Sequence, residues 1–490
     1  MAAQSLKKSL AWMGGTSLAG QVITWSVTII VARLLTPEDY GLVALAGLFT
    51  VFANAICRLG ISAAVIQADE VSNYQVRALY SLSFVVGAAM YLVGVVAAPI
   101  MGWIFTEPRL IPLIIFQNLI FLVGAPKSLL WSLLARDTRF DVIAKVETGT
   151  RILTSLATLG MAAAGFGVWA LAAQWLLIEA AQFLTFCCFC KVRPTLHIRL
   201  AEIKDLLIFG FKIFLRNMVG QLYASVDVFI LGKLAVPEFL GAYTFSKRLA
   251  EMPFEKIVAI INRVLLPYIS KDKGNPEAMR EWTLKIADFQ ALFLAPFFVM
   301  LFFCARETVF VLLGAGWGAA VLPLKIFCMA NLFKLAESYA GIALTALGKV
   351  TQQLHYVVIQ LIVIGSSLLC LAIWVGINAS LFVWVTVYPV LCLVFCRFMI
   401  RSIELRPWTL FKRLRGILLS HVILAVTLYA VGLLFDGTAE WQLLILKIGI
   451  GGLSLFISLF VLDRNKLYTV LSILSSRQSG NGASENVERT

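Results

Sequence analysis

Apolar residues in this chain come in runs of about 20, the length of helix needed to cross ~30 Å of hydrocarbon. The runs lie near 10–35, 41–66, 78–103, 110–134, 143–165, 168–190, 206–234, 242–270, 284–312, 320–346, 351–376, 379–400, 414–435 and 442–462. Short connections carrying Pro, Gly, Asp and Asn separate them. The pattern predicts an all-α polytopic membrane protein of about 14 transmembrane helices. The polar residues after the last run, 466–490, read as a disordered tail.

Composition agrees. Sixty per cent of the 490 residues are apolar, 14% are charged and mean hydropathy is +0.89. A soluble domain of this length does not carry so much apolar sequence. The net charge of +14 does not indicate nucleic acid, because the cations form no surface stripe. They sort by loop instead. Twenty-five lysines and arginines fall at the N-terminus, in the even-numbered connections and in the tail, while the odd connections hold one, Arg109. By the positive-inside rule both termini are expected to be cytoplasmic. The basic start followed by an apolar run, with no small-residue cleavage site, reads as the first span. The nine cysteines have no paired spacing, and Cys187, Cys188 and Cys190 lack a partner set for a metal.

The chain repeats itself. GQVITWSVTIIVARLLTPEDYG (Gly20 to Gly41) aligns without a gap to GQLYASVDVFILGKLAVPEFLG (Gly220 to Gly241), with seven of 22 positions identical. Six spans separate the copies, so both have the same orientation. That is the signature of two parallel lobes about an axis along the membrane normal. The expected organisation is an N-terminal six-helix lobe over 1–200, a second over 201–405, two further transmembrane helices over 406–465 and the tail 466–490, with a central cleft between the lobes that opens alternately to each side.

Charge inside the spans supplies the candidate chemistry. Fifteen of the 41 lysines and arginines lie there, against eight acids: Glu147, Glu179, Asp227, Glu251, Glu255, Asp288, Glu307 and Glu337. Ionisable groups at membrane depth usually face a cavity, a partner or a substrate path. At about 100° per residue, Lys212, Arg216, Tyr223 and Asp227 share an arc of about 60° on span seven. Arg248, Glu251, Glu255, Lys256 and Arg263 occupy about 140° of span eight, where Pro253 interrupts the hydrogen-bond ladder. Arg58 lies in the inner half of span two, as Arg263 does in its own lobe. Lys212, Arg216, Arg248, Lys256, Arg263 and Arg58 are the candidate anion ligands; arginine's planar fork suits a phosphate. Cations near span ends, Arg33, Lys212, Lys233 and Lys247, also have a plain role in reaching the headgroups, and Lys247 and Glu251 have the i,i+4 spacing of an ion pair. No phosphate-cradling G-x-x-x-x-G-K-[ST] is present, and His197, His355 and His421 are far apart in sequence. Transport is therefore expected to be secondary or passive, with no catalytic residue, metal or cofactor. Asp227, Glu251 and Glu255 are the candidates for coupling to a proton or sodium gradient.

The segments ARLLTPEDYGL (Ala32 to Leu42), RLGISAAVIQ (Arg58 to Gln67), INRVLLPYIS (Ile261 to Ser270) and LLGAGWGAAVLPL (Leu312 to Leu324) resemble the Wzx-type polysaccharide flippases of the multidrug/oligosaccharidyl-lipid/polysaccharide exporter superfamily, nearest the branch serving colanic acid and other exopolysaccharides. The resemblance runs to about residue 460. It implies a substrate, an oligosaccharide repeat unit on undecaprenyl pyrophosphate flipped across a bacterial inner membrane, and partners, a polysaccharide polymerase and a chain-length regulator. It would make the cations above a pyrophosphate site. A lipid II flippase and a cation-coupled multidrug exporter of the same superfamily are the alternatives. An enzyme that polymerises or ligates glycans is not expected, because all odd connections are short.

Overall fold

The computed structural model describes residues 23–58, 62, 65–66, 68, 70–190, 192, 200–271, 275–435 and 437–464, without the side chains of some helix residues, among them Arg58, Lys212, Arg216, Lys256 and Arg263. The tail expected over 466–490 and the start of the first span lie outside these residues.

All regular structure among the described residues is helical. The helices are α1 (Ile23–Leu34), α2 (Pro37–Arg58), α3 (Asn73–Ile104), α4 (Leu110–Arg136), α5 (Phe140–Ala163), α6 (Val168–Cys190), α7 (Leu200–Leu234), α8 (Pro237–Lys271), α9 (Pro276–Phe303), α10 (Val321–Ala346), α11 (Val350–Trp374), α12 (Val383–Ser402), α13 (Pro407–Leu434) and α14 (Glu440–Leu462). Each falls on one of the apolar runs. Nine spans among the described residues are long and apolar enough to cross a membrane: α3, α4, α6 and α9–α14 with their flanking turns. The helices α1, α2, α5, α7 and α8 are not among the nine, so fourteen crossings remain an expectation.

Local sequence sets the helix ends. Thr36 precedes Pro37, which at the first helical position has no N–H to leave unpaired. The Thr36 hydroxyl and backbone N–H both donate to Asp39 Oδ2, at 2.8 and 2.9 Å. Ser72 and Gln75 form a reciprocal capping box for α3. Asn275 Oδ1 accepts from the N–H groups of Glu277 and Ala278 to start α9. Inside the apolar helices, breaks follow prolines or polar residues: α4 is interrupted at Leu119, after Gln117 and Asn118, and α9 at Leu294, ahead of Pro296.

The chain divides into two compact units, with a boundary inside α8 between Lys247 and Arg248. The first holds everything up to Lys247, the segment Leu312–Pro323, and Thr351–Val383. Within it α3, α4 and α6 pack in succession, α5 lies on α6, and α2 lies on α7. One of its cores joins Leu79, Tyr80, Leu129, Leu130, Phe186 and Ile203. The two repeat-related turns meet in this unit: Gly41 faces the backbone of Pro237, and Gly241 faces that of Pro37. The second unit holds Arg248–Val311, Leu324–Val350 and the chain from Trp384 onward. There α13 pairs with α14 and rests on α9, and a core of α8, α9 and α10 residues joins Phe254, Leu294, Phe298 and Leu335.

Candidate functional site

The α7–α8 hairpin carries the most deeply placed charge in the first unit. Asp227 is fully buried. Its Oδ2 accepts from the Tyr243 hydroxyl at 2.6 Å and from Lys247 Nζ at 2.6 Å, while Oδ1 accepts from the Val228 N–H at 2.8 Å. Tyr243 and Lys247 lie four residues apart on α8, on the face turned to α7. The carboxylate thus has three donors, one of them charged, which is what an ionised group needs away from water. One turn of α7 earlier, Tyr223 and Ala224 lie on the same side of the helix, and Lys247 Nζ also reaches the Ala224 carbonyl, at 3.5 Å.

In the second unit, Glu251 Oε1 is held by Lys334 Nζ at 2.6 Å, and the same ammonium stands 5.1 Å from the centroid of the Phe254 ring. Lys247 and Glu251, at i,i+4 spacing, each take a partner from another helix, Asp227 on α7 and Lys334 on α10. Arg248 and Glu255, the other candidates on α8 with described side chains, are exposed. The remaining candidates, Lys212, Arg216, Lys256, Arg263 and Arg58, occupy helical positions, and their side chains lie outside the described set.

Lys127, Lys334 and Lys447 lie on spans other than the seventh and eighth. The structure gives each a carboxylate. Lys127 meets Glu179 at 2.5 Å and Gln182 at 3.0 Å between α4 and α6. Lys447 of α14 meets Glu307 at 2.5 Å and the Phe303 carbonyl at 2.9 Å, where α9 ends. Asp288 is held by Arg413, Glu147 by the Trp131 indole N–H, and Glu337 by the Tyr388 hydroxyl. Seven of the eight interior acids thus have a named donor, and Glu255 is the exposed exception. No spacing rule could have found these pairs, because their members lie 16 to 140 residues apart. The only signal in the sequence is that each acid occurs in a span that needs a compensating donor.

This pairing sorts the interior cations. Lys127, Lys247, Lys334 and Lys447 are neutralised locally and serve packing. The cations on the helical positions of α7 and α8 outnumber the acids there.

A second cluster in the first unit gathers Trp317, Tyr40 and Phe245. The Trp317 indole N–H donates to the Ala32 carbonyl at 3.0 Å across 285 residues. Its ring lies 5.3 Å from Tyr40 and 4.9 Å from Phe245, and Tyr40 and Phe245 are themselves 5.2 Å apart, edge to face. Gly314 (φ 99°) turns the chain into the 3₁₀ segment Ala315–Ala320 that presents this ring. Ser246 Oγ donates to the Ala320 carbonyl at 2.9 Å. Arg109 ties the neighbouring turns, bonding Glu38 Oε1 at 2.7 Å and Glu107 at 2.7 and 2.9 Å. The guanidinium holds the Glu107 carboxyl below the usual carboxylate range through its side-chain hydrogen bond.

Residues 30–322 match the family of polysaccharide biosynthesis proteins. Among individual relatives, an uncharacterized membrane protein from the cps region of Klebsiella pneumoniae is 24% identical over 380 residues, covering 75% of this chain and 77% of the relative. The lipopolysaccharide biosynthesis protein WzxC of Escherichia coli (strain K12) is 25% identical over 325 residues, or 66% of each chain. The fold is that of the lipid II flippase MurJ in an inward closed conformation: 14% identity, 93% of this chain and 100% of that one, and a TM-score of 0.72.

Proposed function

Because the chain belongs to the polysaccharide biosynthesis protein family, we propose that it flips undecaprenyl-pyrophosphate-linked oligosaccharide repeat units across a bacterial inner membrane for exopolysaccharide or lipopolysaccharide assembly. The mechanism is alternating access without ATP. The observation that supports an anionic substrate is the charge surplus of α7 and α8. Of the described acids there, Asp227 is held by Lys247, Glu251 by Lys334, and Glu238 and Glu255 are exposed; Lys212, Arg216, Arg248, Lys256 and Arg263, with Arg58, are the proposed pyrophosphate ligands. Positive charge near the path lowers the cost of moving a dianionic headgroup through a low-dielectric region, and the prenyl tail stays in lipid. Both termini are cytoplasmic by the charge sorting. Coupling to a proton or sodium gradient runs through Asp227, Glu251 or Glu255. A polymerase and a chain-length regulator take over the flipped unit.

Deletion of the gene followed by extraction of lipid-linked intermediates tests this. Accumulation of undecaprenyl-pyrophosphate oligosaccharide with loss of surface polysaccharide is the expected result. Accumulation of lipid II would assign the chain to the second reading, a lipid II flippase of the same fold. Export of a cationic drug with unchanged glycan pools would assign it to the third.

A further inference from the structure

We infer that the α12–α13 corner of the second unit is a binding site for the headgroup of an anionic phospholipid. Three features of α13 point there. Trp408 and Phe411 stack at 5.3 Å with an interplanar angle of 20°, yet stand 61% and 52% exposed. Lys412 Nζ sits 5.6 Å from the Trp408 ring centroid, and Arg406, Lys412 and Arg415 are all exposed. Apolar rings left open beside unpaired cations suit a membrane interface, where the ring lies at headgroup level and the ammonium at the phosphate.

The same face continues into the bilayer. Trp408, Lys412 and Arg415 share an arc of about 80° with Leu419, Val422 and Val426, and the last three are 49%, 57% and 63% exposed. One stripe therefore runs from basic and aromatic to purely aliphatic, matching a phospholipid from phosphate to acyl chain. The end of α12 repeats the pattern: exposed Leu393 and Val394 lead to exposed Arg397 and Arg401. Only Ile403 to Leu405 separate Ser402 from Arg406, so both basic ends lie at one membrane level. The carboxylates nearby are engaged or turned inward. Glu404 pairs with Arg280 at 3.0 Å, and Asp463, at the end of α14, lies against Gly416 inside the α13–α14 contact. A soluble acidic protein would use the cations but would leave the aliphatic continuation unexplained.

The test uses the full-length protein in neutral detergent, titrated with cardiolipin or with phosphatidylcholine and read by native mass spectrometry. Cardiolipin should be retained in preference to phosphatidylcholine. In the Lys412→Gln, Arg415→Gln double variant cardiolipin binding should weaken about thirtyfold, since each basic residue near an anionic surface contributes on the order of 1 kcal/mol. A charge-matched control, Arg77→Gln with Lys145→Gln, should bind as the parent does, and Lys412→Arg with Arg415→Lys should retain binding, which separates lost charge from lost fold. Equal retention of the two lipids by the parent, or unchanged cardiolipin binding in the double glutamine variant, would overturn the inference. So would displacement of cardiolipin by soluble polyglutamate at matched charge, which would give the patch to an acidic protein. None of these readouts depends on transport, so the site stands or falls separately from the flippase reading.

Discussion

Gly41, at the first turn of α2, lies against the backbone carbonyl of Pro237, at the first residue of α8, so closely that a Cβ on Gly41 would overlap it. Gly241 stands in the same relation to Pro37. The reciprocity means that an approximate two-fold axis passes between the two turns, and these are the turns whose sequences repeat. Backbones approach this closely only where a side chain is missing. The Pro-Glu-x-x-Gly signature thus does two jobs in each copy. Proline starts the helix, and glycine four residues on makes room for the other copy's proline.

Gly41→Ala and Gly241→Ala should each destabilise the protein by about 1–3 kcal/mol through overpacking. The double variant should cost less than the two together, because both changes separate the same pair of turns. Thermal unfolding of the purified protein in detergent measures this. Unchanged midpoints for both single variants would contradict the crossing.

The Asp227–Lys247 pair makes a different prediction. Removing one partner leaves a charge without its counterion, so Asp227→Asn or Lys247→Met should each cost about 3–5 kcal/mol. Removing both charges together should restore much of that loss. If Asp227 also links transport to an ion gradient, the double variant recovers stability but not gradient-dependent flipping. A double variant no more stable than either single one would show that the pair is not the reason for the loss.

Trp317 separates a hydrogen bond from a packed ring. Trp317→Phe keeps an aromatic ring between Tyr40 and Phe245 but orphans the Ala32 carbonyl, at a cost of about 1–3 kcal/mol. Trp317→Ala should cost about 3–5 kcal/mol. Similar losses for the two would place the stabilisation in the indole N–H alone.

Arg109 gives a pH signature. It lowers the Glu107 pKa, so the interaction contributes fully above the ordinary value of 4.5 and is lost as pH falls through the lowered value. The difference in unfolding midpoint between the parent and Arg109→Gln should therefore be largest near neutral pH and shrink in acid. A difference that stays constant down to about pH 3 would remove this role.

How much of this was legible in the chain depends on the range of the interaction. Apolar runs marked where the long helices of the described residues fall, since hydropathy is a property of each segment alone. The repeat marked Gly41 and Gly241, because two copies of one turn can be compared directly. The ion pairs were not legible. Lys247 and Glu251 have the spacing of a helical pair, yet Lys247 turns to Asp227 and Glu251 to Lys334, 83 residues on. Such choices depend on which helices pack, and hydropathy carries no record of that. The aromatic cluster at Trp317 was hidden for the same reason: a glycine-rich turn looks like an open loop until its indole is seen against Ala32.

The claim that most needs direct measurement is that a cationic path on α7 and α8 carries a lipid-linked pyrophosphate. Purified protein should be reconstituted into phosphatidylglycerol–phosphatidylethanolamine vesicles with a labelled undecaprenyl-pyrophosphate oligosaccharide, and the label exposed on each leaflet followed with a membrane-impermeant glycosidase. The expected result is protein-dependent transfer between leaflets. Arg216→Ala and Arg263→Ala should each weaken it about ten- to a hundredfold, as the loss of one charge-assisted contact of about 1.5–3 kcal/mol requires, and Arg→Lys should restore it only in part. Transfer at the parent rate by the Arg216→Ala, Arg263→Ala double variant, or no transfer by the folded parent protein, would contradict it.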